Sequence, residues 1–406
     1  MDELWVPYLC VFGSALVTAF VTTPLAKRIA TALGAIDQPS KRRINTEPTP
    51  RMGGIAVLLG LMVAVVVQYV GTSVWGWPVV FTSSVHEGLN YRLLATSFLV
   101  VFATGAIDDV VQLKPIPKFI GQTLAAVIAV TGGLVIGHIV NPFGAGEIEL
   151  GLLGYPITVI YLVAFSNIIN LIDGLDGLAS GIACISSATM AVLATMAGCL
   201  DAAALAVAVC GATLGFLPHN FHPAKIFLGD CGALTIGFAL GTISLLNVRR
   251  MAGLTTILIP LVIAAVPIID TFSAIVRRKR AHVSIGQADK GHLHHRLILQ
   301  QGYDQRQAVL FIYGWTVLLC VGAVIMTQVT LAPRILIFLA LMVGSFAIAR
   351  HLRLFEPVLR HHYNPVTDRD EIVAYGDPAF EVEEMREEAR REERREELAE
   401  KLGIKN

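Results

Sequence analysis

MGGIAVLLGLMVAVVVQYV, residues 52–70, carries no charge over nineteen positions. A helix needs about 17–25 apolar residues to cross a bilayer, and lipid leaves the backbone no partner but itself. Comparable runs lie on both sides: 5–26, 92–107, 119–139, 152–168, 177–197, 202–217, 232–248, 253–275, 308–327 and 332–350. The runs at 152–168 and 202–217 are the shortest and the weakest candidates. The expected fold is all-α and polytopic, with about eleven transmembrane helices. Composition agrees. In 406 residues, 54% are hydrophobic, 15% are charged and the mean hydropathy is +0.65, whereas a soluble domain averages about 25% charged. That excludes a soluble enzyme, a secreted disulfide scaffold and a disordered chain.

Charge placement sets an orientation. With the N-terminus outside, 27 of the 31 Lys and Arg fall on inner segments or the C-terminal tail, and only Arg92, Arg249, Arg250 and Arg334 fall outside. The positive-inside rule favours that arrangement, with the C-terminus in the cytoplasm. Residues 1–350 then form the membrane-embedded part and 351–406 a charged tail. The tail holds ten Glu and five Arg within residues 381–400, at a spacing that suits a solvated helix laced with ion pairs. Cys10, Cys184, Cys199, Cys210, Cys231 and Cys320 include no C-x-x-C pair. They read as small apolar packing residues, with no disulfide or zinc implied. No signal peptide and no nucleic-acid partner are expected.

A transporter of eleven spans would carry its functional charges in mid-span. Here the acids and histidines gather at span ends, on the side assigned to the cytoplasm. Asp108 and Asp109 close the third span, with Lys114 and Lys118 following. Adjacent carboxylates are costly in such surroundings unless a cation or a donor offsets them. Asn167, Asn170, Asp173 and Asp176 recur every three residues in FSNIINLIDGLDGLASG, so on a helix they would share one face. One residue would suffice to cap the next helix; four evenly spaced ones point to a site. Asp230 lies between Gly229 and Gly232, just before an apolar span. It reads either as an ordinary cap or, with the other acids, as a ligand for a hard cation. QADKGHLHHRL adds His292, His294, His295 and Arg296, donors suited to phosphate or sugar more than to zinc.

In their order these motifs resemble the polyprenyl-phosphate N-acetylhexosamine-1-phosphate transferase family. The chain shows D-x-P-x-x-R and P-R-x-G-G (Asp37 to Gly54), the Asp108–Asp109 pair, N-x-x-N-x-x-D-G-x-D-G (Asn167 to Gly177), G-D-x-G (Gly229 to Gly232) and the histidine loop. HLHHRL is similar to the loop of bacterial undecaprenyl-phosphate N-acetylglucosamine-1-phosphate transferases, which start O-antigen, common-antigen or teichoic acid synthesis. It is less similar to that of the enzyme using UDP-N-acetylmuramoyl-pentapeptide. The resemblance implies transfer of N-acetylglucosamine-1-phosphate from UDP-N-acetylglucosamine to undecaprenyl phosphate, with release of UMP, at the cytoplasmic face of a bacterial inner membrane. It also implies residue roles. Asp230 and Asn170 hold Mg²⁺, with Mn²⁺ as a substitute, and Asp108 and Asp109 are catalytic at the lipid phosphate. Lys118 and Arg51 pair with phosphate. Asn167, Asp173, Asp176, His292, His294, His295 and Arg296 contact nucleotide and sugar. The expected partners are the two substrates and the lipid bilayer, with a homodimer as a further possibility. Gln112 stands where many members have an acid or Asn, Asn45 where a His is common, and Cys231 and Ala233 at positions often Ser.

Overall fold

The computed structural model describes residues 4–38, 47–81, 88–140, 146–248, 255–281, 291–357, 359–364 and 369–374, and positions 379, 382, 383, 385 and 386. Thirteen α-helices are present among them: α1 (Trp5–Ala32), α2 (Gly54–Trp75), α3 (Tyr91–Val111), α4 (Pro115–Thr131), α5 (Gly154–Ile172), α6 (Leu178–Met196), α7 (Leu200–Asn220), α8 (Gly229–Val248), α9 (Thr255–Ile263), α10 (Ala265–Arg280), α11 (Leu293–Gln301), α12 (Gln305–Gln328) and α13 (Leu331–His351). Nine described helical segments are long and apolar enough to cross a membrane. The protein is an all-α polytopic membrane protein.

All eleven apolar runs are helical, but two are not full-length spans. α4 has 17 residues. It stops where Gly133 takes a left-handed backbone (φ +94°), so residues 132–139 leave the helix. The run 253–275 divides into α9 and α10 at Ala264. Pro267 has no N–H to offer the Ile263 carbonyl, which interrupts the ladder there. The two runs taken as weakest are full spans: α5 with its preceding turn covers 22 residues and α7 covers 21. Three short antiparallel pairs escaped the hydropathy reading: β1 (Ile36–Asp37) with β2 (Thr49–Pro50), β3 (His138–Val140) with β4 (Glu147–Glu149), and β5 (Leu359–Asn364) with β6 (Arg369–Ala374). Most of residues 381–400 lie outside the described residues, as do Pro39, Lys41, Arg42, Arg43 and Asn45.

The chain divides into two units, residues 1–269 with 303–345, and 270–302 with 346–406. In the first, α8 is the central helix: 89% of its apolar window is buried, against 6% for α13. Small residues permit that centrality. A methyl group on Gly54 would lie 2.2 Å from the Gly232 nitrogen, and one on Gly105 would lie 2.5 Å from the Asp230 carbonyl oxygen. Without side chains at these crossings, α2 and α3 approach α8 backbone to backbone, as small residues allow in membranes. The N-terminus of α8 is thereby seated among the ends of other helices.

All six cysteines are free thiols. Cys184 and Cys210 face each other across α6 and α7 with sulfurs 3.8 Å apart.

Candidate active site

Four helix termini meet at one cation. Lys118, in the first turn of α4, puts Nζ 2.8 Å from Asp108 Oδ2 at the end of α3 and 2.8 Å from Asp230 Oδ1 at the start of α8. It donates a third bond, of 3.1 Å, to Asn170 Oδ1 near the end of α5. Asn170 closes the ring by donating from Nδ2 to Asp230. These four side chains are the centre of the site, and the sequence reading named all of them.

Local backbone sets each position. α3 ends at Gln112, which takes a left-handed conformation (φ +54°) and returns its N–H to the Asp108 carbonyl. The Asp108 side chain receives the Leu113 N–H at 2.7 Å through Oδ1, leaving Oδ2 for the lysine. Pro115 and Pro117 then begin α4; missing N–H groups cost nothing in a first turn. Gln112 thus serves as the turn between two helices.

Asp109 is used differently. Its oxygens accept the backbone N–H groups of Asp230 (2.8 Å) and Cys231 (3.0 Å). Its own carbonyl receives Arg51 Nε (3.1 Å) and Nη2 (2.9 Å). The cap of α8 therefore comes from α3. The ordinary capping role considered for Asp230 is taken by Asp109, and the Asp230 carboxylate is available to the lysine and asparagine.

The expected single face of four polar residues is only half helical. Asn167 and Asn170 lie on α5, Asp173 ends that helix, and Asp176 sits in the turn before α6. Period three meets a helix only as far as the glycines permit, and Gly174 follows at once. Asn167 is clamped to Gln122 of α4, donating to Oε1 at 2.5 Å, and also donates to the Val163 carbonyl at 2.8 Å. Asp176 accepts from the Ala224 N–H (3.1 Å) and meets His222 Nδ1 (2.8 Å), tying the α5–α6 turn to the α7–α8 connection. Neither residue caps α6, whose N-terminal flank is Gly177 with no side-chain bond. Asp173 is half-buried. Loss of water, then the charges of Asp230, Asp109 and Asp176, push its carboxyl up to about 8.

Two carboxylates and one amide oxygen converge on an ammonium, an oxygen set of the kind that suits a hard divalent cation. Mg²⁺ is held by one or two carboxylates, keeps several waters and takes substrate phosphates as further ligands. Among the described residues no group of three or more His, Cys, Asp and Glu is arranged to hold a metal of any kind, so a cation here would rest on few protein oxygens and on water and substrate for the rest.

The histidines belong to the second unit. His292 precedes α11, and His294, His295 and Arg296 lie on it, so the motif is a helix start and not a loop. Asp270 of α10 orders it, meeting His292 Nδ1 at 2.8 Å and accepting the Leu293 N–H at 2.7 Å. Arg296 donates to the Glu356 carbonyl at 2.5 Å. Arg277 is almost fully buried and donates to Ser273 and the Leu354 carbonyl. His294 is buried between the rings of His292 and His295, and its Nδ1 finds no hydrogen-bond partner among the described residues. Burial, then the charge of His295, holds this imidazole well below the usual histidine range. Gln122, His222, Asp270 and Arg277 went unnamed in the sequence reading. Asp270 alone had a signal, an acid inside an apolar run.

The glycosyl transferase family 4 model matches residues 91–248, from the start of α3 to the end of α8. A probable undecaprenyl-phosphate N-acetylglucosaminyl 1-phosphate transferase of Bacillus subtilis is 36% identical over 349 residues, 86% of this chain and 93% of its own. A decaprenyl-phosphate N-acetylglucosaminephosphotransferase of Mycobacterium tuberculosis is 35% identical over 382 residues, 87% of this chain and 90% of its own. A phospho-N-acetylmuramoyl-pentapeptide-transferase of Geobacillus kaustophilus is 33% identical, over 63% of this chain and 76% of its own. With helix ends, motifs and near full-length relatives in agreement, the chain belongs to the polyprenyl-phosphate N-acetylhexosamine-1-phosphate transferases of glycosyl transferase family 4.

Proposed function

We propose that the protein transfers N-acetylglucosamine-1-phosphate from UDP-N-acetylglucosamine to undecaprenyl phosphate and releases UMP, as the first membrane step of a cell-envelope polysaccharide. The observation that carries the reading is the convergence of Asp108, Asn170 and Asp230 on Lys118 at the ends of four helices. Both reactants are anions, so the site must offset charge and align an in-line displacement. An oxygen of the lipid phosphate attacks the sugar-bearing phosphorus. The bond from that phosphorus to the bridging oxygen breaks, and UMP departs with the electron pair. Lys118 follows the phosphate charge, and Asp108 orients the acceptor and takes its last proton. That proton transfer is modest, because a phosphate monoester has a second pKa of about 6. Asp230 and Asn170 would hold Mg²⁺, which neutralises the diphosphate and polarises its oxygens when bound. Asn167, Asp173 and Asp176, on the end of α5 and the turn after it, serve the nucleotide and sugar, with Asp176 at the uracil. Arg51 adds positive charge beside Asp109. The N-terminus lies outside and the acid-bearing helix ends face the cytoplasm, where a soluble nucleotide meets a lipid headgroup.

Donor choice follows from pairing. A site built to hydrogen-bond an N-acetyl group rejects a donor lacking it, because its buried polar groups are left alone. Purified protein given undecaprenyl phosphate should release UMP from UDP-N-acetylglucosamine and use UDP-glucose poorly. Release from UDP-N-acetylmuramoyl-pentapeptide but not from UDP-N-acetylglucosamine would overturn the donor assignment and leave the reaction class standing.

A further inference from the structure

We propose that Asp109 acts through Asp230 and not on substrate: it is a positioning residue that locks the first turn of α8 and thereby aims the Asp230 carboxylate. This deepens the preceding reading and rests on Asp230 as a metal ligand. Three observations carry it. First, the Asp109 side chain is 0% exposed, and both its oxygens take N–H groups of the helix they cap, Asp230 and Cys231. A lipid phosphate has no surface of this carboxylate to meet. Asp108 differs, because its side chain is not fully enclosed and its Oδ2 meets the Lys118 ammonium rather than a backbone amide. Second, the junction is built around that carboxylate. Gly229 has φ +75°, and a methyl group there would lie 2.7 Å from Asp109 Oδ2. Third, the same junction is fixed from the other side. Arg51 holds the Asp109 carbonyl. The segment beside Arg51 runs along the approach to α8, with Phe227 N–H on the Pro50 carbonyl (2.8 Å) and Gly53 and Gly54 N–H on the Phe227 and Leu228 carbonyls (both 2.9 Å).

A carboxylate at a helix N-terminus satisfies amides that would otherwise be orphaned, and it complements the helix dipole. Here those amides belong to Asp230 itself and to its neighbour. Loss of the cap lets the first turn fray, and Asp230 then loses its register against Asn170 and Lys118. Groups that orient a ligand commonly change metal affinity by about 10–100-fold when removed.

The test uses full-length protein in nanodiscs, with Mn²⁺ binding followed by electron paramagnetic resonance in the absence of either substrate. Wild type and Asp230→Asn come first. If wild type binds no Mn²⁺, or Asp230→Asn binds as wild type does, the metal reading itself fails. With those two as expected, Asp109→Asn should bind Mn²⁺ about 10–100-fold more weakly, and raising Mg²⁺ should restore much of its turnover. Gly229→Ala changes no charge but presses on the same carboxylate. It should copy both effects, and it reads the junction should Asp109→Asn not fold. Mn²⁺ affinity within twofold of wild type in either folded variant would overturn the proposal. So would Asp109→Asn turnover that stays lost at every Mg²⁺ concentration, since Asp109 would then act at the substrate.

Discussion

Lys118 sits where a divalent cation would find its oxygens, and that makes the residue a competitor as well as a helper. Its ammonium is within 2.8 Å of two carboxylate oxygens. Removing it should have two opposite effects. Turnover of Lys118→Met should fall by about 10²–10³-fold, the usual loss when one donor to developing charge is deleted. Mn²⁺ binding to the same variant should tighten, because a positive charge has left the oxygen set. A drop in Mn²⁺ affinity would show that Lys118 supports the metal site and does not contend for it. At this scale much was legible. Asp108, Asn170, Asp230 and Lys118 were identified from spacing, from family motif and from the cost of placing acids together near lipid. The partition between Asp108 and Asp109 was not. Two adjacent identical residues look alike in a sequence, and only the turn at Gln112 and the amides of α8 separate them.

Capping ties the elements to one another. α8 receives its cap from α3 through Asp109, and α11 receives its cap from α10 through Asp270. Sequence rules look for a cap in the residues at the helix start, which is why Asp230 was weighed as one; Asp109 was noticed only as half of an acid pair, and Asp270 was not noticed. In the second unit the arrangement has a pH consequence. His294 is held neutral, with its folded pKa lowered by burial and by His295, against about 6.5 unfolded. With the folded value depressed, the stability is full above about pH 6.5 and is lost as pH falls through the window below it. Thermal unfolding of wild type should therefore weaken between pH 7.5 and 5.5 more than that of His294→Phe, which has no proton to gain. Equal losses in the two proteins would contradict the buried neutral imidazole. The helical character of His294 to Arg296 was hidden because four polar residues beside a glycine carry loop composition. The break between α9 and α10 was hidden because hydropathy ignores the missing N–H of Pro267.

Across the whole molecule, hydropathy located every helical run that approaches a full span, and the residues that shorten two of them are glycine and proline, which hydropathy scores poorly. The β3–β4 pair, three residues a strand, lacks the length that makes a strand pattern readable, and β5 and β6, six residues each, carry a polar and charged composition without clean alternation. Orientation is the remaining molecular claim, and it rests on 27 of 31 basic residues lying on one side. In a cysteine-free background, single Lys114→Cys and Lys225→Cys variants should resist a membrane-impermeant thiol reagent in intact cells. A Leu152→Cys variant, between α4 and α5, should react. Ready labelling at residue 114 or 225 would place that helix end outside and separate the site from its cytoplasmic nucleotide.

The reaction class turns on which bond breaks, and phosphorus labelling reads that directly. Purified protein in nanodiscs would be given undecaprenyl phosphate, Mg²⁺ and UDP-N-acetylglucosamine labelled with ³²P at either the α- or the β-phosphate. Attack at the sugar-bearing phosphorus should carry the β-label into the lipid phase and leave the α-label in water as UMP. Asp230→Asn should abolish both signals. A β-label that stayed in water as UDP would mean transfer of the sugar without its phosphate, and the site described here would be doing other chemistry.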